Sequence, residues 1–389
     1  MAGLDLGKTS LRIAVSTALV AAAPLCAQST SAPPDADEIP IALMIDLSSN
    51  QTLFVREENR RFVPASITKV MTAFTAFEML DSGKLMINQR IRVSDATFEE
   101  WSGKGSSMFV PRDAMIPVDQ LLLGITTISA NDGAVVLGEG ASGSTANWIK
   151  AMNANAQAIG LHDSRFGTPN GWPDQGYTFS TARDLATLAK AILIRHPSKF
   201  RRYFGHRGME FNGITQENHD PISGIVDGAD GFKTGFTNQA GYGFLGTAER
   251  DGRRLIMVVA GAARESTRDR AAREFIEWGF NAFDSRLLYA RNAKVGIARV
   301  QDGMLDEVGI AAAGPVRIAV PKNQNANVKI SVTYRGPVHA PIAEGEEIAK
   351  LRIDVDGLPP TQVPLVATQS VQQANFFTRI GNAFGALLK

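Results

Sequence analysis

Residues 64–80 read PASITKVMTAFTAFEML, and this stretch is the strongest fold signal in the sequence. Its apolar side chains recur every three or four residues, which predicts an amphipathic helix that begins near Ser66. Ser66 and Lys69 lie three residues apart, so their side chains share one helix face. Free backbone amides at a helix start favour negative charge, and a lysine with a lowered pKa can take a serine proton. The same residues also suit an ordinary capped helix start.

Two further motifs carry polar groups suited to the same kind of site. Ser129-Ala130-Asn131 falls between two predicted helical stretches, where a hydroxyl and an amide can relay a proton and hold a substrate amide. Lys233-Thr234-Gly235 lies in a β-prone run, where a substrate carboxylate can approach a cation and a hydroxyl on an edge strand. Each motif alone also fits an ordinary turn or a solvated strand end. In this order the three motifs match the signature of penicillin-recognising serine enzymes.

The sequence around these motifs predicts an α+β domain over residues 40–288. It opens with a hairpin, Ile41–Asp46 and Gln51–Val55. Helices are predicted to begin near Ser66, Pro117, Ser144 and Thr181. Three strands follow at Phe232–Thr234, Tyr242–Ala248 and Leu255–Ala260, and then a helix from Arg268 through Trp278. This order predicts an antiparallel sheet with helices on its faces.

Residues 289–370 have a different sequence pattern. Short β-prone runs, separated by glycine, proline and asparagine, follow one another without a helical pattern. The runs are Val295–Val300, Val316–Val320, Val328–Tyr334, Glu347–Val355 and Gln362–Val366. They predict a small all-β domain, a sandwich, after the α+β domain.

The chain begins with the layout of a secretory signal peptide over residues 1–27. Lys8 and Arg12 precede an apolar run that ends in small residues up to Ala27, after which we expect cleavage. The run is shorter than the roughly 20 apolar residues that a membrane-spanning helix needs. The alternatives are an uncleaved anchor or a disordered tail. A linker rich in serine, proline and aspartate follows at residues 28–39.

Residues 371–389 predict an amphipathic helix at the other end of the chain. Its large apolar side chains fall within an arc of about 120° on a helical wheel. The stretch contains two cations and no acid, which suits a helix lying in an anionic membrane interface. The alternative is a helix docked on the body of the protein.

Composition excludes several classes of function. The 389 residues include 40 basic and 39 acidic side chains, so the basic excess of a nucleic-acid binder is absent. The single cysteine, Cys26, excludes an internal disulfide bond. The five histidines show no ligand spacing, so we expect no metal and no cofactor.

The three motifs together resemble those of the low-molecular-weight penicillin-binding proteins, the serine-type D-alanyl-D-alanine carboxypeptidases. The resemblance extends over nearly the whole mature chain and includes Pro169-Asn170-Gly171, residues 230–242 and Trp278-Gly279-Phe280. It implies a β-lactamase-like transpeptidase domain followed by the β domain. It also implies secretion to the periplasm and attachment to the outer face of the inner membrane through the C-terminal helix.

The resemblance also implies catalytic roles. Ser66 would be the acylated nucleophile and Lys69 its general base. Ser129 would relay the proton toward the leaving D-alanine, and Asn131 would bind the penultimate peptide amide.

The same resemblance implies a carboxylate-binding side of the site. Lys233 and Thr234 would hold the terminal carboxylate of the substrate. The backbone N–H of Phe236, the residue after Gly235, would complete an oxyanion hole with that of the nucleophile. Arg268, ten residues before the last tryptophan, would lie on the carboxylate side, although two nearby arginines, at 264 and 270, stay open as alternatives.

The implied activity is removal of the terminal D-alanine from peptidoglycan pentapeptide stems, with β-lactams as covalent inhibitors. The alternatives are a D,D-endopeptidase that cuts cross-links, a non-catalytic peptidoglycan-binding scaffold and a β-lactamase. The sequence lacks the Glu-x-x-Leu-Asn loop that supplies a deacylation base in class A β-lactamases. We therefore expect a long-lived acyl-enzyme with β-lactams.

Overall fold

A computed structural model describes residues 32–322 and 325–375 of the chain. The helices are α1 (Thr68–Asp81), α2 (Asp95–Trp101), α3 (Val118–Thr127), α4 (Asn131–Ser142), α5 (Thr145–Ala158), α6 (Ala182–Arg195), α7 (Pro197–Tyr203) and α8 (Glu265–Asn281). The predicted signal peptide and residues 376–389 of the predicted amphipathic helix lie outside the described residues. Residues 371–375, where that helix was predicted to begin, are not helical, since Val371 is buried and pairs with Ile342 in an antiparallel bridge. Within the described part of the chain, no helix is both long and apolar enough to cross a bilayer.

The strands fall into two groups along the chain. The first group is β1 (Ile41–Asp46), β2 (Gln51–Arg56), β3 (Arg90–Arg92), β4 (Met115–Pro117), β5 (Gly208–Phe211), β6 (Ile214–Glu217), β7 (Ala229–Thr237), β8 (Gly241–Arg250) and β9 (Arg253–Ala262). The second group is β10 (Phe283–Tyr289), β11 (Lys294–Gln301), β12 (Glu307–Ala312), β13 (Val316–Pro321), β14 (Val328–Thr333), β15 (Val338–His339), β16 (Glu347–Val355) and β17 (Thr361–Ala367).

A five-stranded antiparallel sheet with the order β2-β1-β9-β8-β7 forms the centre of the first domain. Helices cover both faces. Ile41 and Leu43 of β1 belong to the apolar cluster that contains α1, whereas Ala42 and Met44 belong to the cluster that contains α8. Successive side chains point to opposite faces of a strand, so a sheet buried on both sides needs a continuous apolar strand. The predicted α+β class is confirmed.

Helix α1 is more deeply buried than the sequence predicts. Residues 68–77 are all buried, including Thr72 and Thr75, because α3, α4, α5 and α6 pack around the helix. The Thr72 hydroxyl satisfies its hydrogen bond by donating to the carbonyl of Pro169 at 2.5 Å. The amphipathic pattern thus identified the helix but not its central position.

Two predicted helix starts are confirmed in detail. The Ser144 hydroxyl accepts a hydrogen bond from the backbone N–H of Asn147, and the Thr181 hydroxyl accepts one from that of Asp184. Both side chains satisfy N–H groups that have no partner within their helix. The last helix of the domain, α8, begins at Glu265, one turn before the predicted start at Arg268.

Helix α4 follows the predicted interhelical loop, although it contains several glycines that lower helix propensity. Tertiary packing explains those glycines. A Cβ atom on Gly133 would lie 2.9 Å from Sδ of Met108, and one on Gly138 would lie 2.9 Å from Cγ of Trp148. Close packing of neighbouring side chains against the helix therefore overrides its weak intrinsic preference.

The second domain is built from strands, as predicted. A six-stranded sheet with the order β14-β16-β17-β12-β11-β15 and the pair β10-β13 enclose one apolar cluster, to which Ile310, Ile318 and Leu351 belong. Strand β10 pairs antiparallel with β13 from Phe283 onward, ahead of the expected boundary at residue 289. The all-β class is confirmed.

One buried side chain links the two domains. Gln51, at the start of β2, accepts a hydrogen bond from the backbone N–H of Ala319 at 2.5 Å and donates to its carbonyl at 3.3 Å. Its side chain is almost completely buried. The glutamine amide thus binds both backbone groups of one residue of β13.

Candidate active site

A cavity of about 490 Å³ opens where β7, the start of α1 and the loop before α4 meet. All three sequence motifs contribute to its lining. The predicted site residues that line it are Ser66, Ser129, Asn131, Thr234, Gly235, Phe236 and Arg268. The two predicted lysines, Lys69 and Lys233, are buried beside these residues. The fold therefore brings together side chains that lie more than a hundred residues apart in the sequence.

Ser66 lies on a 3-10 turn, Ala65–Ile67, directly before α1 rather than within it. Neither the turn nor α1 begins with a side-chain cap, so a capped helix start does not explain the serine. Ala65 has a φ of 50°, in the left-handed region that non-glycine residues rarely adopt. A Cβ atom on Gly171, which itself has a φ of 76°, would lie 1.9 Å from the Ala65 carbonyl oxygen. The turn and the Gly171 loop are thus in direct backbone contact.

The Lys69 amine has three neighbours that suit its neutral form. Its Nζ lies 2.9 Å from Oγ of Ser66 and donates to Oδ1 of Asn131 at 2.8 Å and to the carbonyl of Asn170 at 2.7 Å. A neutral amine has two N–H groups and one lone pair, which match two acceptors and one hydroxyl donor. Burial, with a smaller contribution from the positive charge of Lys233, holds the pKa of Lys69 well below its usual value.

The loop between α3 and α4 presents Ser129 and Asn131. Ser129 has a φ of 64°, and its buried hydroxyl has no hydrogen-bond partner among the described residues. Asn131 begins α4, and its Nδ2 donates to the carbonyl of Lys104 at 3.0 Å. One side of the Asn131 amide thus binds the Lys69 amine, and the other side binds the neighbouring loop.

Asp132 lies in the first turn of α4 and does not cap the helix. Its carboxylate accepts hydrogen bonds from the backbone N–H groups of Met108 and Val110 and from the Ser107 hydroxyl. The acid therefore ties the segment before α3 to the start of α4. This interaction supports the loop that carries Ser129 and raises the pKa of the nearby Lys69, against the larger lowering by burial.

Strand β7 supplies the opposite wall of the cavity and lies at an edge of the five-stranded sheet. The Lys233 side chain is buried beneath it, with Nζ 3.2 Å from the carbonyl of Thr234. Burial, followed by the charge of Arg268, lowers the pKa of Lys233 to about 7. A Cβ atom on Gly235 would lie 2.5 Å from the carbonyl oxygen of Pro64, so only glycine lets β7 approach the turn that carries Ser66 this closely.

Of the three arginines considered, Arg268 is the one whose side chain lines the cavity. It is almost fully buried, and its guanidinium donates to Asp269 at 2.5 Å and to Glu265 at 3.0 Å. Arg264 is the residue before α8, and Arg270 pairs with acids away from the cavity.

The predicted site residue Phe236, which is 46% exposed, stacks on Tyr242 at a ring separation of 4.1 Å. The sequence analysis missed Trp172, His219 and Glu265, which also line the cavity. Neither these side chains nor the Asn170 carbonyl belongs to a motif whose chemistry the spacing predicts. Among the described residues, no group of acids, histidines or cysteines is arranged to hold a metal ion.

Two family models match the chain. The first, described as D-alanyl-D-alanine carboxypeptidase, matches residues 27–264. The second, described as the C-terminal domain of penicillin-binding protein 5, matches residues 283–373.

Similar proteins extend over most of the chain. D-alanyl-D-alanine carboxypeptidase DacF of Bacillus subtilis is 29% identical over 360 residues, which cover 90% of each chain. DacA of Escherichia coli is 29% identical over 345 residues, which cover 87% of this chain and 85% of DacA. The crystal structure of penicillin-binding protein 5 from Haemophilus influenzae matches with a TM-score of 0.78 at 27% identity, and covers 88% of this chain and 99% of that one. Penicillin-binding protein D2 of Listeria monocytogenes in its ampicillin-bound form matches 63% of this chain and 98% of that one, with a TM-score of 0.55 and 28% identity.

Proposed function

The chain belongs to the D-alanyl-D-alanine carboxypeptidase family of serine hydrolases, and on this basis we propose that it removes the terminal D-alanine from peptidoglycan pentapeptide stems through a Ser66 acyl-enzyme. One observation carries the assignment of the nucleophile. The buried Lys69 amine lies 2.9 Å from the Ser66 hydroxyl, and its two N–H groups are taken by two carbonyl oxygens. This arrangement leaves the nitrogen lone pair for the serine proton.

Acylation begins when Oγ of Ser66 attacks the carbonyl carbon between the two D-alanines. The Lys69 lone pair accepts the hydroxyl proton, and the backbone N–H groups of Ser66 and Phe236 stabilise the oxyanion. The close approach of Gly235 to Pro64 supports this pairing of amides, because it joins the end of β7 to the nucleophile turn.

The tetrahedral intermediate collapses when the C–N bond breaks. Ser129 passes a proton to the departing nitrogen of D-alanine and recovers one from the Lys69 ammonium. A buried hydroxyl with no partner among the described residues supports this role, since it is free to bind a substrate group. Water then hydrolyses the ester and releases the shortened stem.

The carboxylate of the terminal D-alanine binds on the other side of the cavity. Lys233 and Arg268 supply positive charge there, and the Thr234 hydroxyl supplies a hydrogen bond. Strand β7 lies at a sheet edge, so the substrate backbone can bind beside it as an added strand. On the wall of the cavity that faces β7, Asn131 would bind the penultimate peptide amide of the substrate.

β-Lactams are expected to acylate the same serine. The ampicillin-bound form of the Listeria relative supports this expectation. Among the described residues that line the cavity, Glu265 is the one carboxylate, and it lies with Arg268 on the carboxylate side. No acid among the described cavity-lining residues therefore lies beside Asn170 to activate a deacylating water, which favours a slowly hydrolysed acyl-enzyme over a β-lactamase.

We also propose that the enzyme acts in the periplasm. Residues 1–27 would direct secretion, and residues 376–389 would attach the protein to the outer face of the inner membrane. The signal-peptide pattern and the acid-free amphipathic pattern of the C-terminal residues support this arrangement.

D-alanine release from a soluble pentapeptide ending in D-Ala-D-Ala tests the proposal. The mature protein should release D-alanine and should gain the mass of penicillin at Ser66, whereas Ser66→Ala should do neither. Ser82→Ala is a matched control, since Ser82 is an exposed serine at the opposite end of α1.

The other outcomes identify the alternatives. Release by Ser66→Ala would contradict the assignment of the nucleophile. Cleavage of cross-linked dimers without release from the pentapeptide would indicate an endopeptidase. Failure of the mature protein to release D-alanine and to bind penicillin covalently would indicate a scaffold.

A further inference from the structure

The guanidinium of Arg268 has two carboxylate partners of its own. Its Nε donates to Asp269 at 2.5 Å, and its Nη2 donates to Glu265 at 3.0 Å. A third, longer contact of 3.4 Å joins Nη1 to the carbonyl of Gly243. A substrate carboxylate that binds Arg268 therefore meets a cation that already interacts with two anions.

The two acids differ in their surroundings. The Asp269 side chain is 27% exposed and does not line the cavity, so it serves to orient the arginine from behind. The Glu265 side chain lines the cavity and is 52% exposed. It extends from the first turn of α8 and can turn toward solvent without leaving an unpaired buried charge.

We propose that Glu265 is a specificity-determining residue: it occupies Arg268 before substrate binds and competes with the terminal carboxylate of the stem for the guanidinium. This inference rests on the proposed function of the cavity. Substrate binding then exchanges one carboxylate partner of Arg268 for another, so Glu265 weakens the binding of every ligand with a carboxylate at that position. A ligand with a neutral end gains no contact with Arg268 and is not affected in this way.

The competition predicts a particular effect of Glu265→Gln. A glutamine keeps the size of the side chain but loses the negative charge, and with it the repulsion of the incoming carboxylate. Peptides that end in a free carboxylate should bind about three- to tenfold more tightly, as expected for two like charges whose repulsion is screened by water, since Glu265 is half exposed. Peptides with a C-terminal amide should bind with unchanged affinity.

Binding should be measured in the Ser66→Ala background, where peptides are held without turnover. Titration calorimetry with diacetyl-Lys-D-Ala-D-Ala and with its C-terminal amide gives the four dissociation constants for Ser66→Ala with and without Glu265→Gln. Glu274→Gln is the matched control, because Glu274 lies on the same helix, is 52% exposed and pairs with Arg270 outside the cavity. Thermal melts of all variants establish that they are folded.

A lower dissociation constant for the acid peptide alone supports the proposal. An unchanged or higher value would overturn it and would mean that Glu265 only positions Arg268. An equal gain for both peptides would also overturn it. These readouts do not depend on turnover, so a failure of D-alanine release by the wild-type enzyme is recognised separately as a failure of the proposed function.

Discussion

At the scale of single residues, the site combines two buried lysines that do different work. Lys69 contacts the Ser66 hydroxyl and two carbonyl oxygens, whereas Lys233 lies beneath the edge strand β7. Burial is the largest cause of the lowered pKa of each, and the charge of Lys233 lowers that of Lys69 further. The proposed mechanism uses a neutral Lys69 as the base and a protonated Lys233 as the cation, so it needs the two amines in opposite protonation states.

This opposition predicts a bell-shaped pH dependence of acylation by penicillin. At low pH, Lys69 is protonated and the rate falls because the base is lost. As the pH rises through the pKa of Lys233, about 7, that side chain loses its charge and its attraction for the ligand carboxylate. The second-order rate constant should then fall by up to tenfold per pH unit.

Lys233→Arg separates the two limbs of the profile. An arginine stays protonated throughout this range, so the alkaline fall should disappear while the acid limb remains. Stopped-flow or mass-spectrometric acylation rates between pH 5 and about 10 provide the measurement. An alkaline limb that persists in the folded variant would assign that limb to another group.

At the scale of structural elements, the cavity depends on three segments that touch through their backbones. Gly235 of β7 lies against Pro64, and Gly171 lies against Ala65. Neither position has room for a Cβ atom. The Ala65–Ile67 turn is therefore held between the edge strand β7 and the Gly171 loop, which explains how Ala65 keeps a φ of 50°.

Gly171→Ala should disturb this arrangement. The new Cβ atom would lie 1.9 Å from the Ala65 carbonyl oxygen, and the residue would keep a left-handed φ of 76°. We expect unfolding to become easier by about 3 kcal/mol or more, from backbone strain and overpacking together. Penicillin acylation should slow at least tenfold because the turn that carries Ser66 must move.

Gly176→Ala is the control for backbone strain without a steric clash. Gly176 has a φ of 88° in the same loop, and a Cβ atom there would meet no atom within 4 Å. This variant should lose about 1–2 kcal/mol and keep its acylation rate. Urea denaturation and acylation kinetics measure both effects, and equal behaviour of the two variants would refute the role of the Gly171 contact.

At the scale of the whole molecule, the two domains are joined by polar contacts at the side of the central sheet. Gln51 binds the backbone N–H and carbonyl of Ala319, and the N–H of Lys322 donates to the carbonyl of Ala282 at 2.8 Å. The Gln51 amide is almost completely buried, so its partners cannot bind water in its place.

Gln51→Ala should weaken the connection between the two domains without affecting the proposed hydrolysis. Two buried backbone groups of Ala319 lose their partner, which should cost about 1–3 kcal/mol of unfolding free energy. The residue does not line the cavity, so D-alanine release should be unchanged. Gln362→Ala, at an exposed position of β17, is the matched control and should have little effect. Equal stability of both variants in urea denaturation would contradict the proposed link.

Much of the fold and of the candidate site followed from local sequence features. Apolar periodicity identified α1, the caps at Ser144 and Thr181 located two further helices, and alternating β-prone runs separated the second domain. Motif spacing predicted that Ser66 and Lys69 are neighbours, because side chains three residues apart at a helix start lie on the same face. Such interactions are local, so the sequence determines them by itself.

Tertiary structure alone decided the features that depend on distant segments. The close packing of neighbouring side chains against the glycines of α4 depends on distant segments, and the burial of Lys69 depends on the helices around α1. The pairing of Arg268 with Glu265, and their position beside β7, likewise require the sheet and α8 to meet. The electrostatic environment of a side chain and its close packing depend on residues far apart in the chain, so no local sequence pattern predicts them.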